Sequence, residues 1–202
     1  MTDQNTVRDD IAFMRALAEE GRGGPLIGGA IMAAGGLLFG TASLILWAGL
    51  SSGLGLGSRI QLVWPVSGLI FFVLLFWLLR GAPRPMSAAA RGVGVGWSAA
   101  GWAMFTLVIS LMVMGVRLDD SRMAGAIAPA ILSLYGCSWF IAAGAARRPW
   151  LYAVTVGAFV MAVVTAWFAM QAIDYLIYGV SLYVLVAAPG FVLMRQARRA
   201  AA

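Results

Sequence analysis

The sequence predicts an all-α integral membrane protein with six transmembrane helices, arranged as three antiparallel hairpins with both termini in the cytoplasm. Three observations predict this class. Of the 202 residues, 62% are hydrophobic and only 11% are charged, whereas soluble domains carry about 25% charged residues. The charged side chains leave six long uncharged stretches between them. If the chain crosses the membrane at each of these stretches, most of the arginines between them fall on the same side of the membrane.

Each uncharged stretch is about 20 residues or longer, which is the length of helix that crosses a hydrocarbon core. We therefore expect a transmembrane domain over residues 25–195, between an N-terminal segment 1–24 and a basic cytoplasmic tail 196–202. The connections between several spans are short, which favours antiparallel neighbours. The expected spans are about 25–50, 60–79, 93–116, 123–146, 150–173 and 175–194.

The arginine distribution predicts the orientation of the chain. All 14 basic residues are arginine, and eleven of them fall in segments on one side of a six-span path. Only Arg59, Arg117 and Arg122 fall on the other side. Because basic residues in short loops favour the cytoplasmic side, we expect N-in and C-in topology. The arginine-, alanine- and glycine-rich composition is typical of GC-rich bacteria, so we expect the bacterial inner membrane, with its lipids as the main neighbours.

Tryptophan and tyrosine positions predict two interfacial belts, since these side chains favour the membrane–water boundary. The belts are expected to anchor the bundle rather than to bind a ligand. The outer belt would contain Trp47, Trp64, Trp167, Tyr175 and Tyr178, and the inner belt Trp77, Trp97, Trp150 and Tyr152.

A short amphipathic helix is expected at about residues 7–21, on the cytoplasmic side. Thr6 and Asp9 fit a capping box, and glycines from Gly21 onward end the pattern. Residues 8–22 carry three arginines and four acids, whereas helices that lie on anionic lipid are usually basic. We therefore expect a protein contact, either with a cytoplasmic partner or with this chain's own basic loops. Its apolar face would consist of Val7, Ile11, Met14, Leu17 and Ala18.

Glycine pairs at GxxxG spacing predict close helix packing, because small residues let backbones approach where lipid gives no hydrophobic drive. Packing within the bundle is the first interpretation, and a homo-oligomer along the first or third span is the alternative. The pairs are Gly36 with Gly40, Gly92 with Gly96, and Gly53 with Gly57.

Pro65, Pro129 and Pro189 fall within the second, fourth and sixth spans. Each removes a backbone donor and crowds the preceding turn, so we expect kinks there. Two interpretations remain open: the kinks open a cavity, or neighbouring helices absorb them.

Several chemistries are excluded by residues that the chain lacks. It has no histidine and no lysine, and Cys137 is its single cysteine. The chain therefore lacks the residues that usually build four kinds of site. These are an imidazole-ligated metal or haem, a lysine Schiff base, a Ser/His catalytic pair and a multi-thiolate metal site. We expect no enzyme activity and no cofactor. The pI near 10.4 comes from arginines divided among separate loops, so no nucleic-acid binding is expected.

Neutral polar residues near mid-depth are candidates for a small pocket. A neutral or lipid-like ligand is one interpretation, and interhelical hydrogen bonds are the commoner use of such residues. The carboxylates of Asp119, Asp120 and Asp174 are expected in outer turns, where solvated ion pairs are ordinary and weak. The pocket candidates are Ser67, Thr106, Ser133, Tyr135, Ser181 and Tyr183.

These features favour a non-enzymatic inner-membrane protein that acts by interaction, as an accessory, assembly or regulatory subunit. The absence of embedded charge argues against coupled transport, since pumps and ion-coupled carriers place charged groups near the midplane. The alternative is a small channel or uncoupled carrier for a neutral or hydrophobic solute.

Overall fold

The computed structural model describes residues 28–52, 57–80 and 88–201, and these residues are helical apart from short turns. Six of the helical segments are long and apolar enough to cross a membrane. Within the described ranges there is no strand, so the expected all-α class is confirmed, with the expected number of helices able to cross a membrane. The expected helix at about 7–21, with Val7, Ile11, Met14, Leu17 and Ala18, lies outside the described residues.

The first three spans are single α-helices. Helix α1 is Gly29–Ser51, α2 is Val63–Arg80 and α3 is Ala88–Leu118. A 3-10 turn, Gly57–Leu62, leads directly into α2.

The last three spans are less regular. A 3-10 turn at Ser121–Ala126 leads into α4, Ile127–Ala145, and α5 is Trp150–Trp167. The sixth span consists of α6 (Ala172–Leu182), a π-helical turn (Tyr183–Ala187) and α7 (Ala188–Ala201). The π-helical turn ends two residues before Pro189.

The observed bounds correct two expectations at the end of the chain. The fifth span ends at Trp167 rather than at 173, and the sixth begins at Ala172 rather than at 175. Asp174 therefore lies in the first turn of α6 and not in a solvated turn between spans. Helix α7 continues through Ala201, so residues 196–201 are helical and continuous with the sixth span.

Close backbone contact joins the first span to the last. A Cβ added to Gly29 would lie 2.8 Å from the Gly190 carbonyl oxygen, and one added to Gly36 would lie 2.5 Å from the Ala187 nitrogen. Further along α1, Gly40 meets Gly179. The partner number falls as the α1 number rises, so the two spans run antiparallel and touch over most of their length.

Helices α4 and α5 form the second close pair. A Cβ at Gly136 would overlap the ring of Phe159, and Gly125 lies against Met170 just beyond the end of α5. Leu132 and Leu151 are fully buried in the clusters that α4 and α5 share with the last span. The core therefore lies among α1, α4, α5 and the last span.

Helices α2 and α3 lie at the periphery of this core. Ser67 is the buried residue of α2, and among the described side chains of α3 it is Val93 that is buried. Helix α2 contacts α1 through Phe71 and Gly35, and α3 contacts α4 through Trp97 and Trp139. Most apolar side chains of both peripheral helices are exposed on the outside of the bundle.

Three tight turns between spans use a residue with positive φ. These residues are Asp119, Arg147 and Met170, with φ values of 51°, 50° and 69°. Next to the first of them, the Arg122 guanidinium donates to Asp120 at 3.0 Å. This hydrogen bond lowers the pKa of the Asp120 carboxyl, so Asp120 forms the local ion pair expected of an outer turn.

Candidate functional site

The small hydroxyls expected at mid-depth are directed mainly to their own helices. Thr106 donates to the Trp102 carbonyl at 2.9 Å, and Ser133 donates to the Pro129 carbonyl at 2.9 Å. Ser181 donates to the carbonyl of Ile177 at 2.7 Å. Each bond satisfies a hydroxyl locally, which is an ordinary arrangement for Ser and Thr in a helix.

Tyr183 and Tyr135 reach neighbouring helices. The hydroxyl of Tyr183 lies 2.6 Å from Thr41 Oγ1 on α1, and Thr41 in turn donates to the Leu37 carbonyl. Because the single Thr41 proton is used for Leu37, the Tyr183 hydroxyl is the donor to Thr41. Tyr135 packs against Trp97 on α3 with ring centroids 6.0 Å apart. In the described part of the chain, no hydrogen bond joins any two of the six pocket candidates.

A buried tryptophan closes a gap in the hydrogen bonding of the last span. In a regular helix the Leu185 carbonyl would accept from residue 189, which is proline and has no N–H. Trp139 on α4 donates its indole N–H to this carbonyl at 3.0 Å, and its side chain is fully buried. Trp97 on α3 meets Trp139 edge-on at 4.9 Å. A neighbouring helix thus supplies a donor to the carbonyl whose regular helical partner, residue 189, has no N–H.

Asp174 is the one buried side chain of the described residues that has an unpaired polar atom. Only 8% of the residue is exposed, and its Oδ1 accepts no hydrogen bond. It is the third residue of α6, where the unpaired N–H groups of a helix start favour negative charge. Ser43 on α1 fixes this end of α6 by donating to the Tyr175 carbonyl at 2.7 Å.

Aromatic side chains lie next to this carboxylate. Tyr178, one helical turn after Asp174, is buried in a cluster against which Tyr135 on α4 also packs. Trp64 on α2 lies 6.3 Å from Tyr178 between ring centroids. Phe39 on α1 stacks on the other side of Trp64 at 6.4 Å. A carboxylate and a run of aromatic rings therefore meet where α1, α2, α4 and α6 converge.

This site departs from the sequence expectations in two ways. Asp174 was expected in a solvated turn, and Tyr178 and Trp64 were expected in an interfacial belt. Tyr178 is instead 6% exposed, and Trp97 of the inner belt packs against Trp139. Trp77 and Trp167 are 71% and 81% exposed on the outside of the bundle. The spacing of Asp174 and Tyr178, which places both on one helix face, was the signal that could have linked them.

The residues of this site do not resemble a metal centre. In the parts of the chain that the structure describes, no group of three or more His, Cys, Asp or Glu residues lies close enough to hold a metal ion. Cys137 is exposed on the outside of α4, away from Asp174. Asp174 is the single carboxylate of the site.

The glycine pairs have different environments. Gly36 and Gly40 contact the last span of the same chain, so a homo-oligomer seam along the first span would require that contact to open. On α3, an added Cβ at Gly92 would meet nothing within 4 Å, and one at Gly96 would meet only Ile141 at 3.8 Å. Gly53 lies outside the described residues. The open GxxxG face is therefore on α3.

Comparisons with protein-family models, with curated proteins and with solved structures found no match. The class of this protein rests on its helices, because six of them are long and apolar enough to cross a membrane. They indicate an all-helical, multi-pass membrane protein.

Proposed function

We propose that this protein is a non-enzymatic subunit of the bacterial inner membrane, acting by interaction in an accessory, assembly or regulatory role. In this proposal the six spans cross as antiparallel hairpins, with both chain termini in the cytoplasm. The orientation is supported by the eleven arginines that would face the cytoplasm. It is also supported by the contact of Gly29 with Gly190, which brings the start of the first span to the end of the last.

The observation that carries the proposal is the contrast between the glycines of the core and those of the periphery. At Gly29, Gly36 and Gly190 an added Cβ would lie within 3.0 Å of another helix. At Gly94 and Gly101 of α3 it would meet nothing within 4 Å. Glycine within a helix costs about 1 kcal/mol relative to alanine, and close helix contact is what offsets this cost in membranes. Gly94 and Gly101 lie on the same face of α3, opposite the Gly92–Gly96 pair, and this uncovered face supports docking of another transmembrane helix.

The neighbouring surface of α2 and α3 is suited to such a contact. Phe72 on α2 meets Phe105 on α3 edge-on at 5.8 Å, and Trp102 meets Phe105 at 6.1 Å. These rings are exposed on the outside of the bundle, with Trp102 70% exposed. Large aromatic side chains beside a glycine face provide both contact area and a close backbone approach, which is the usual composition of membrane helix interfaces.

Site-specific photo-crosslinking in living cells tests this surface. Crosslinkers replacing Ser98 and Trp102 on α3 are expected to give a discrete protein adduct, whereas one at Val163, 72% exposed on α5, is expected to give none. An adduct of twice the chain mass would identify a second copy as the partner, and any other discrete mass would identify a different protein. The absence of a protein adduct at every α3 position would contradict the proposal.

A steric variant of the same face provides a matched test. Gly101→Leu should abolish the crosslink at Ser98, because the added side chain would hold the partner helix away. Ala153→Leu, at an exposed position of α5, makes a comparable change on a different helix and should leave the crosslink intact. Equal crosslinking of the two variants would contradict docking at α3.

The expected cytoplasmic helix at about residues 7–21 is a second contact in this proposal. A chain that begins at Pro25 should assemble its membrane domain and lose recovery of a cytoplasmic partner. Unchanged assembly, partner recovery and stability in the shortened chain would remove the helix from the proposal without affecting the α3 surface.

A further inference from the structure

The carboxylate of Asp174 has no partner within the described chain. Its Oδ1 is buried and accepts no hydrogen bond, although a buried acceptor without a donor is costly. The start of α6, with its helix dipole, favours the negative charge but supplies no hydrogen bond to Oδ1. Oδ1 therefore needs a hydrogen-bond donor, and a donor that carries positive charge would also pair with the carboxylate.

A metal ion does not meet these requirements. Calcium takes six to eight oxygen ligands, and magnesium demands a near-ideal octahedron of them. The described residues contain no cluster of acidic, histidine or cysteine side chains that would hold such an ion. Tyr178 lies one helical turn after Asp174 and contacts the Trp64 ring with centroids 6.3 Å apart, and aromatic rings are typical neighbours of an organic cation, because an ammonium is attracted to an aromatic face.

The hydrogen-bond requirement narrows the class of cation. A quaternary ammonium pairs with charge and ring faces, but it has no N–H for Oδ1. A protonated primary amine offers three donors, so it satisfies the buried oxygen and keeps the aromatic contact. The unpaired Oδ1 should therefore favour binding of a primary ammonium over a quaternary ammonium.

We propose that Asp174, with Tyr178 and Trp64, forms a binding site for a primary ammonium group, carried either by a soluble amine or by the headgroup of an ethanolamine phospholipid. The ammonium donates to Asp174 Oδ1 and lies against the aromatic rings. The site is built by α2 and α6 and held by the Ser43 contact of α1. It is independent of the proposed partner surface on α3.

The lipid source is tested with the full-length protein in nanodiscs of phosphatidylglycerol. Replacing an equal fraction of this lipid by phosphatidylethanolamine or by phosphatidylcholine changes the amine and little else of the headgroup. Phosphatidylethanolamine is expected to raise the thermal unfolding midpoint, and phosphatidylcholine is not. The soluble source is tested in phosphatidylglycerol nanodiscs with ethanolamine against choline at equal concentration. A response to ethanolamine alone assigns a soluble amine, and a response to the ethanolamine lipid alone assigns the headgroup.

Asp174→Asn removes the charge while preserving the shape of the side chain. It is expected to weaken the affinity for the primary amine roughly ten- to hundredfold, because a charge-assisted hydrogen bond is lost. The rise in unfolding midpoint should then require a correspondingly higher amine concentration. Asp119→Asn makes the same change at an exposed turn and should leave the response unchanged. Equal responses to the ethanolamine and choline forms, no response to either source, or an unchanged response in Asp174→Asn would each overturn the proposal. If Asp174→Asn does not fold, the wild-type comparison of the two amines decides alone.

Discussion

At the scale of single residues, glycine has two opposite roles in this chain. Gly36 lies against the Ala187 backbone of the last span, whereas Gly68 on α2 has open space where its side chain would be. The sequence places both in apolar helices and cannot distinguish them, because hydropathy gives depth in the membrane but not the identity of the facing helix. Only the packed structure assigns one glycine to the core and the other to the surface.

Gly36→Ala should therefore destabilise the protein, and Gly68→Ala should not. The Cβ of the first variant would lie 2.5 Å from the Ala187 nitrogen, so α1 must move away from the last span at a cost of about 1–3 kcal/mol. Alanine at 68 meets nothing within 4 Å and is the better helix former. Thermal unfolding in detergent compares the two, and an equal midpoint would contradict the close contact.

Neighbouring arginines in one turn offer a second paired prediction. Arg147 has a φ of 50°, which costs a side-chain-bearing residue about 1 kcal/mol that glycine avoids. Arg148 donates to the side chain of Gln196 in α7. Arg147→Gly should keep or raise the unfolding midpoint, and Arg148→Gly should lower it. The reverse order would show that the turn conformation is wrong.

At the scale of elements, the six spans follow from the sequence, but their irregular ends do not. Charged residues mark the boundaries of an apolar stretch in a sequence. Because Asp174 is such a boundary, the sequence predicts that the sixth span begins at residue 175 rather than at Ala172. The start of α6 lies against α1, where Ser43 donates to the Tyr175 carbonyl, and a helix so distant in the chain leaves no local signal at Asp174. The proline of the sixth span was readable, whereas the tryptophan that compensates for it comes from another helix and was not.

The contact between Trp139 and Leu185 allows a double-mutant cycle. Trp139→Phe removes the indole donor to the buried Leu185 carbonyl, which should cost about 1–3 kcal/mol of unfolding free energy. Pro189→Ala restores a backbone N–H one turn after Leu185, so the cost of Trp139→Phe should be smaller in that background. Chemical unfolding of the four proteins measures the coupling. Additive effects would contradict compensation, and Trp77→Phe, at an exposed position, serves as the control.

At the scale of the whole molecule, four spans form the core and two lie outside it. The proposed orientation rests on arginine counts, which the fold itself does not determine. In a background of Cys137→Ala, Asp119→Cys should react with an impermeant maleimide in intact cells, and Arg147→Cys only after permeabilisation. Labelling of both sites from outside would show that the assignment of sides is wrong.

The antiparallel contact between the first and last spans has a consequence for biosynthesis. Helix α1 is synthesised long before α6 and α7. The glycine face of α1 therefore has no packing partner in the bilayer until translation is nearly finished. During that interval this exposed face can pack against transmembrane segments of other proteins. Shielding of nascent α1 by the insertion machinery would prevent such mispairing. A chain whose translation stalls before Ala172 would keep α1 unpaired and would be a substrate for degradation by quality control.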